Sequence, residues 1–483
     1  MFELEPATFD EDELWKLAEA MKGDGEAKDG DDPEEGDFGA AYTYLGQFID
    51  HDLTFDPSTF DQQSSDPHAI VNFRTPGFDL DNLYGRGPAD QPYLFDGPQR
   101  RMLLGEKLFV VARNPNAFDL QRSVAASDGT KRAIIGDPRN DENVIVSQFQ
   151  GMIQRFHNRI AAEFLAIDPD VPFVDIAIEV RRHYQWVVVH DFLTKIVSRS
   201  VLDAVSPAIV DAAKSFANHP PALKVYWFRD RRMPVEFSVA AYRLGHSMVR
   251  PGYRVNEITP PLKIFDHINP KGGLNAFGEF PRTWTIDWQR FLDLGIGPSV
   301  STDDDRVQRA YKIDTSLVEP LAHLPTSVAG DEGSARPRLR SLAFRNLLRG
   351  QSLRLPSGQA IARAMGATVL RDAEIVIGPA EDGSTETETP QGAKLKTIVD
   401  ISPTFAGNCP LWVYVLAEAR RNFYGSDKRA CLGAVGGRIV AETFLALLAG
   451  DPSSIVNTPS WRPRFASGLA FGLPELLRAA LGL

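Results

Sequence analysis

The stretch Leu45-Gly46-Gln47-Phe48-Ile49-Asp50-His51-Asp52-Leu53-Thr54 sets an amide, two carboxylates and an imidazole among apolar residues. Read as a helix, Gln47, Asp50 and His51 stand at i, i+3 and i+4 and share one face, while Asp52 points elsewhere. An imidazole titrates near neutrality and can pass a proton to and from a reacting group. Burying so many polar groups without partners is costly, so the stretch reads as a site. The structural alternative is a helix end with a satisfied histidine and two capping aspartates.

Four further groupings could do chemistry. In Thr75-Pro76-Gly77-Phe78-Asp79-Leu80-Asp81, oxygen donors recur at every second residue: Thr75, the Gly77 carbonyl, Asp79 and Asp81. With Asp52 they supply much of the all-oxygen shell that calcium takes; the bland reading is a polar turn before Tyr84-Gly85. Arg139 and Glu142 lie three apart on a Pro-marked helix start, which is otherwise a surface-type ion pair worth tenths of a kcal/mol. Arg243 and His246 are i, i+3 neighbours, and Gly245 leaves room for a flat object; alone, this is a core histidine. Asn346 and Arg349 share a face of another helix, otherwise a solvated stripe. His157, His183, His190, His68, His219, His267 and His323 have no second ligand at metal spacing and read as core, surface or turn groups.

The elements that must position these residues are mostly helical. Residues 9–21 read as an amphipathic helix carrying Leu14, Leu17 and Met21, and the acidic, Gly-rich stretch 22–37 as a mobile linker. Helical spacing runs from Val144 to Phe164, through 174–200 and 201–217, over 238–248, within 341–366, and over 411–423 and 435–448. Residues 257–300, rich in Pro, Gly and aromatics, are expected to wrap the surface. A strand character is confined to Leu108–Ala112 and Ile375–Ile377, and 378–393 is a polar loop. The expectation is a mostly α fold with very little β: residues 1–37 as helix and linker, and 38–483 as one large helical domain.

Composition narrows the function. Net charge is −12, from 52 Lys+Arg against 64 Asp+Glu, which argues against a nucleic-acid partner. Cys409 and Cys431 are the only cysteines, so a disulfide framework and an all-Cys zinc site are excluded. No apolar run reaches the length of a membrane span. The start, Met1-Phe2-Glu3-Leu4-Glu5, lacks the pattern of a signal peptide, so a cytoplasmic or signal-independently secreted protein is expected.

Taken together, the chain resembles the animal-type haem peroxidases, the peroxidase–cyclooxygenase superfamily, over nearly all of residues 40–475. The motif Gly-Gln-Phe-Ile-Asp-His-Asp matches that family's distal helix almost letter for letter. The order that follows also matches: Thr-x-Gly-x-Asp-x-Asp, then Arg-x-x-Glu, Arg-x-x-His and Asn-x-x-Arg. A short, Cys-poor chain is more like the bacterial members than the disulfide-rich mammalian ones. The resemblance implies haem b, with His51 as distal histidine, Gln47 lining the distal pocket and Arg139 as distal arginine. It implies His246 as the proximal iron ligand, with Asn346 accepting its other ring N–H. Arg243 and Arg349 would pair with the haem propionates, Asp50 and Glu142 would form esters to haem methyl groups, and Asp52, Thr75, Gly77, Asp79 and Asp81 would hold Ca2+.

The implied activity is reduction of hydrogen peroxide and oxidation of halide, thiocyanate or phenolic donors through an iron–oxo intermediate. Heterolysis of peroxide needs a base such as His51 and a cation such as Arg139 for the leaving oxygen. Asn143 follows Glu142 where the strongest chloride oxidisers carry a haem-bonded Met, so bromide or iodide is expected over chloride. Fatty-acid dioxygenases of the family place a radical-forming Tyr three residues before the proximal His; here that residue is Arg243, with Tyr242 one position off. Peroxidase is therefore preferred to fatty-acid dioxygenase or to a non-enzymatic haem-binding module.

Overall fold

The computed structural model describes residues 1–23, 32–55, 72, 74–127, 129–228, 231–266, 273–274, 277–296 and 306–483. His68, His267 and residues 24–31 of the acidic stretch lie outside the described residues. The chain is 44% helix and 8% strand, which makes it the mostly α fold expected. Among the described residues no helix is long and apolar enough to cross a membrane.

Helix α1 (Glu11–Ala20) buries Leu14 and Leu17, as its pattern predicts, and Met21 behind it is equally buried. Trp15 stands edge-on to Phe344, 5.4 Å between ring centroids. Leu14, Leu17, Ala18 and Met21 thus join the main hydrophobic core. The expected linker differs at its described ends. Gly23 N–H donates to the Leu317 carbonyl, Asp32 is buried and accepts from the Tyr311 hydroxyl, and β1 (Glu35–Gly39) pairs antiparallel with Arg309–Tyr311.

Helix α2 (Ala41–Leu53) carries the opening motif. Its apolar side is closed by aromatics: Phe48 meets Phe149 at 5.6 Å and Tyr184 at 6.1 Å. A tight turn, Pro138–Asp141, leads into α3 (Val144–Ile167), the longest helix described. Asn143 caps α3: its Oδ1 accepts from Ile145 N–H at 3.0 Å and Val146 N–H at 2.8 Å. Helix α4 (Phe173–Trp186) runs into a wide π-helical turn, Val187–Phe192, and 211–217 is not helical as expected.

Three later elements complete the frame of the site. Glu236–Ala240 is a π turn and Ala241–His246 a 3₁₀ turn, in place of the α-helix expected over 238–248. A 3₁₀ turn has three residues per turn, so Arg243 and His246 still stack on one side. Helix α5 (Leu342–Ser352) presents Asn346, and α6 (Leu411–Tyr424) and α7 (Gly436–Ala449) are close to the spans read from sequence.

The expectation for 257–300 is corrected by burial. Ile286, Trp288 and Phe291 are core residues, and Trp288 packs 5.9 Å from Phe149. This irregular backbone is tolerated inside because α3 satisfies it: Gln148 donates to the Trp284 carbonyl and accepts from Ile286 N–H. Leu108–Ala112 makes only single bridges rather than a strand, whereas Val376–Ile377 does pair with Lys396–Thr397.

Candidate active site

The opening motif faces a cavity of about 330 Å³, within the size range of small-molecule and cofactor sites. Gln47, Asp50 and His51 of α2 all line it, so the face predicted from helical spacing is the face that meets the space. Arg139, Glu142 and Asn143 line it from the turn before α3, and Tyr242, Arg243, Gly245 and His246 from the π/3₁₀ segment. Met248, Ile264, Leu321, Leu324 and Val328 give it an apolar end.

His51 is held by a residue the sequence reading missed. Its Nδ1 lies 2.7 Å from Asn140 Oδ1, and Asn140 Nδ2 donates to Gln150 Oε1 at 2.9 Å. An amide oxygen only accepts, so Nδ1 carries the ring proton and Nε2 keeps its lone pair. Burial, with the Arg139 charge beside it, lowers the His51 pKa to about 4, which favours the neutral ring. Asn140 is buried and follows Arg139 directly, but nothing in its own spacing points 89 residues back to His51.

Arg139 does not pair with Glu142. Its Nε and Nη2 bond to the Asp137 carboxylate, and Nη2 also reaches the carbonyls of Thr54 at 2.6 Å and His51 at 3.2 Å. The guanidinium is thereby fixed to the last turn of α2, with Nη1 outside that set. Burial opposes ionisation of Asp137, but Arg139, His51 and Arg74 outweigh it and lower its pKa to about 2. Glu142 instead accepts from Gln47 Nε2. Burial pushes the Glu142 pKa up to about 7 against the pull of Arg139.

On the other wall, His246 Nδ1 lies 2.8 Å from the Asn346 side-chain amide, as the resemblance implies. It is Nδ2 of Asn346 that faces the ring, where the sequence reading has Asn346 accepting. Ligation of a metal through Nε2 requires the proton on Nδ1, and a half-turn of the amide then brings Oδ1 onto it. Burial lowers the His246 pKa to about 3, keeping the ring neutral as a ligand must be. Beside it, a side chain added at Gly245 would meet nothing within 4 Å, so the space expected there exists.

Arg243 donates from Nη1 to Asp50 at 3.2 Å and from Nε to the Ser238 carbonyl at 2.8 Å, linking the two walls. Burial pushes the Asp50 pKa up, but Arg243, His51 and Arg139 outweigh it and hold it below the usual carboxylate range. Arg349, one helical turn beyond Asn346, is not among the residues lining the cavity. Tyr242 lines it, stacked on Phe237 at 4.8 Å, with its hydroxyl donating to the Gly46 carbonyl at 3.3 Å.

Behind His51, Asp52 points into a second cluster. Carboxylate oxygens of Asp52, Asp79 and Asp81 lie within 4.8 Å of one another. Asp52 is fully buried and neither of its oxygens has a hydrogen-bond partner. Burial, then Asp79 and Asp81, push its pKa well above normal, as carboxylates this close cannot all stay ionised without a counter-charge. Asp81 N–H donates to Asp79 Oδ1 at 3.3 Å, and a Cβ on Gly77 would lie 3.9 Å from Asp79 Oδ2, so Gly77 borders the cluster. An oxygen-only set of this charge suits a hard cation.

The donor chemistry of the larger cavity fits haem. A partly buried, neutral imidazole with its Nδ1 held by an amide is a usual axial ligand, and a second imidazole with a free Nε2 shares the same space.

Comparisons with known proteins agree. Residues 54–280 match the family model described as animal haem peroxidase. The fold is similar to that of peroxidase A from Dictyostelium discoideum, with a TM-score of 0.58 at 14% identity, over 99% of this chain and 91% of that one. It is also similar to fatty acid alpha-dioxygenase from Arabidopsis thaliana, with a TM-score of 0.53 at 14% identity, over 99% of this chain and 74% of that one. The fatty acid alpha-dioxygenase of Oryza sativa gives 0.53 at 12% identity, over 99% and 78%. None of the curated proteins matches the sequence. Residues 54–280 thus match the animal haem peroxidase family, and the chain as a whole shares the fold of these solved structures.

Proposed function

We propose that the protein is a haem peroxidase that reduces hydrogen peroxide and oxidises small donors: halide, with bromide or iodide before chloride, thiocyanate, or a phenol. The observation that carries the reading is the pair His51 and His246 on one cavity, each with Nδ1 held by a buried asparagine amide. Haem, bound there, supplies the two-electron reduction of peroxide and the return of electrons from the donor. His246 would ligate the iron, with Asn346 setting its tautomer. His51 Nε2 takes the proton from one peroxide oxygen and hands it to the other. Arg139, immobilised by Asp137 and two carbonyls, offers a fixed positive charge to the departing oxygen. Asp50, Glu142, Arg243 and Arg349 are assigned to haem attachment and propionate pairing as the family pattern has them; the Asp50–Arg243 contact places two of these groups together.

The acidic cluster behind His51 is assigned to Ca2+, held by Asp52, Asp79 and Asp81 with Thr75 and Gly77 beside them. A cation there would tie the last turn of α2 to the loop and so fix His51. Asp79→Ala should weaken calcium binding by about tenfold or more, since affinity in such sites follows ligand charge. Titration calorimetry and metal analysis would read this; unchanged calcium content would remove the assignment.

A second reading is supported by Tyr242 on the cavity wall: a haem-dependent fatty-acid dioxygenase with a tyrosyl oxidant. Against it, the Tyr242 ring is stacked and its hydroxyl is held by Gly46. One spectroscopic series separates the readings. The haem-loaded protein should show a ferric Soret band that shifts with peroxide and returns on addition of bromide or guaiacol. A band indifferent to peroxide, with oxygen uptake on adding a long-chain fatty acid, would move the assignment to the dioxygenase.

A further inference from the structure

We propose that Arg74 is a positioning residue for Arg139: it shares the Asp137 carboxylate, so that Arg139 keeps its charge for the cavity, and it ties that carboxylate to Asp81 in the acidic cluster. This role rests on the proposed function, in which Arg139 faces the departing oxygen. Arg74 itself does not line the cavity. Asp137 is fully buried and takes two guanidinium groups. Arg139 bonds it from Nε and Nη2, the latter at 2.7 Å from Oδ2. Arg74 bonds the same Oδ2 from Nε at 3.1 Å and from Nη2. The backbone N–H of Arg74 donates to Asn72 Oδ1 at 3.2 Å, and Asn72 Nδ2 donates to the Leu53 carbonyl at 2.9 Å, which anchors Arg74 to the end of α2. Both guanidiniums lie over the Phe55 ring, at 5.7 Å and 4.7 Å from its centroid, and the ring face eases the approach of two like charges.

Asp137 with Arg139 alone is a neutral pair, which offers little to a developing negative charge. With Arg74 the trio carries one net positive charge, and the Arg74 side chain is only 12% exposed, so water screens it poorly. Arg74 Nη1 also stands 3.4 Å from Asp81 Oδ1. Without a cation beside it, Asp81 offsets part of the Arg74 charge. A cation held by Asp52, Asp79 and Asp81 would take over that carboxylate and return the Arg74 charge to Asp137 and Arg139. One side chain thus opposes a cation in the cluster and supports Arg139, two effects of opposite sign.

Arg74→Gln removes the charge and keeps an amide N–H for Asp137, whereas Arg74→Lys keeps the charge and loses the fork. Calcium binding to the full chain, read by titration calorimetry, should tighten about three- to tenfold in Arg74→Gln, because a positive charge leaves the side of Asp81. In the haem-loaded protein, azide read by the Soret shift should bind Arg74→Gln about three- to tenfold more weakly, and the reaction with peroxide should slow by a similar factor. Arg74→Lys should recover most of both effects, and Tm reports folding separately. Calcium bound by Arg74→Gln at wild-type affinity or more weakly would overturn the tie to Asp81. Wild-type azide affinity in Arg74→Gln, or a loss that Arg74→Lys shares and that follows Tm, would overturn the role toward Arg139. A wild-type chain that takes up no haem would overturn the functional reading and the role of Arg74 with it, an outcome distinct from an indifferent Arg74→Gln.

Discussion

His51→Gln should slow the reaction with hydrogen peroxide by about 10²–10⁴-fold, the range by which a positioned acid–base group accelerates a step. The substitution is chosen for what it keeps. Glutamine carries an amide N–H that can still bond Asn140 Oδ1, so the buried Asn140–Gln150 pair is not stripped of its partner. It is polar and of similar reach, so the last turn of α2 and the Arg139 bonds to the carbonyls of His51 and Thr54 should persist. It has no basic nitrogen to take the peroxide proton. Stopped-flow mixing of the ferric protein with peroxide, monitored at the Soret band, reads the step directly, and the unmixed spectrum reports haem uptake separately. A variant with near wild-type rate would mean that the proton goes elsewhere. Glu142 is then the group to examine in protein whose haem is not ester-linked, because it lines the same cavity and its pKa, raised by burial to about 7, would let the free carboxyl exchange a proton near neutrality. A variant that loses haem altogether would point to a structural role for His51.

The parts of this site that could be read from the sequence are those whose information is local. Gln47, Asp50 and His51 share a face because an α-helix repeats every 3.6 residues, and the cavity lies on that face. The Arg243–His246 spacing survives even though the segment is not α-helical, because i and i+3 align in a 3₁₀ turn as well. What could not be read is set by contacts distant in the chain. Asn140 has no periodic neighbour that marks it, and its partner His51 lies in another helix. The Arg139–Glu142 pair suggested by spacing is replaced by Asp137, whose position before Pro138 makes it both the cap of that turn and the nearer carboxylate. Residues 257–300 misled for a related reason. Pro and Gly predict irregular backbone correctly but do not say whether it is exposed; Gln148 and Asn256 supply the bonds that let it be buried. Asn346 meets His246 across 100 residues of chain, a contact that its spacing from Arg349 does not contain.

His246→Ala should abolish stable haem binding, and with it all peroxide-dependent turnover. Loss of a group that merely orients a metal ligand costs about 10–100-fold in affinity, so loss of the ligand itself should exceed that range. Asn346→Ala supplies the comparison: it removes the amide 2.8 Å from Nδ1 and leaves the imidazole, and should fall inside the range. Haem titration of the apo-protein, followed at the Soret band, orders the three proteins. The fold should tolerate both changes. His246 closes a 3₁₀ turn anchored elsewhere: Leu244 is buried, the Trp412 indole donates to the Arg243 carbonyl at 3.3 Å, and Tyr242 is held to Gly46 of α2. Added imidazole is the decisive arm. The cavity left by alanine is open toward Gly245, and a free imidazole entering it could restore the axial nitrogen without the covalent tether. Rescue of the wild-type spectrum by imidazole would assign ligation to this position. Haem bound at wild-type affinity by His246→Ala without imidazole would place the axial ligand on another residue, and His51, the other histidine on the cavity wall, would be the first candidate.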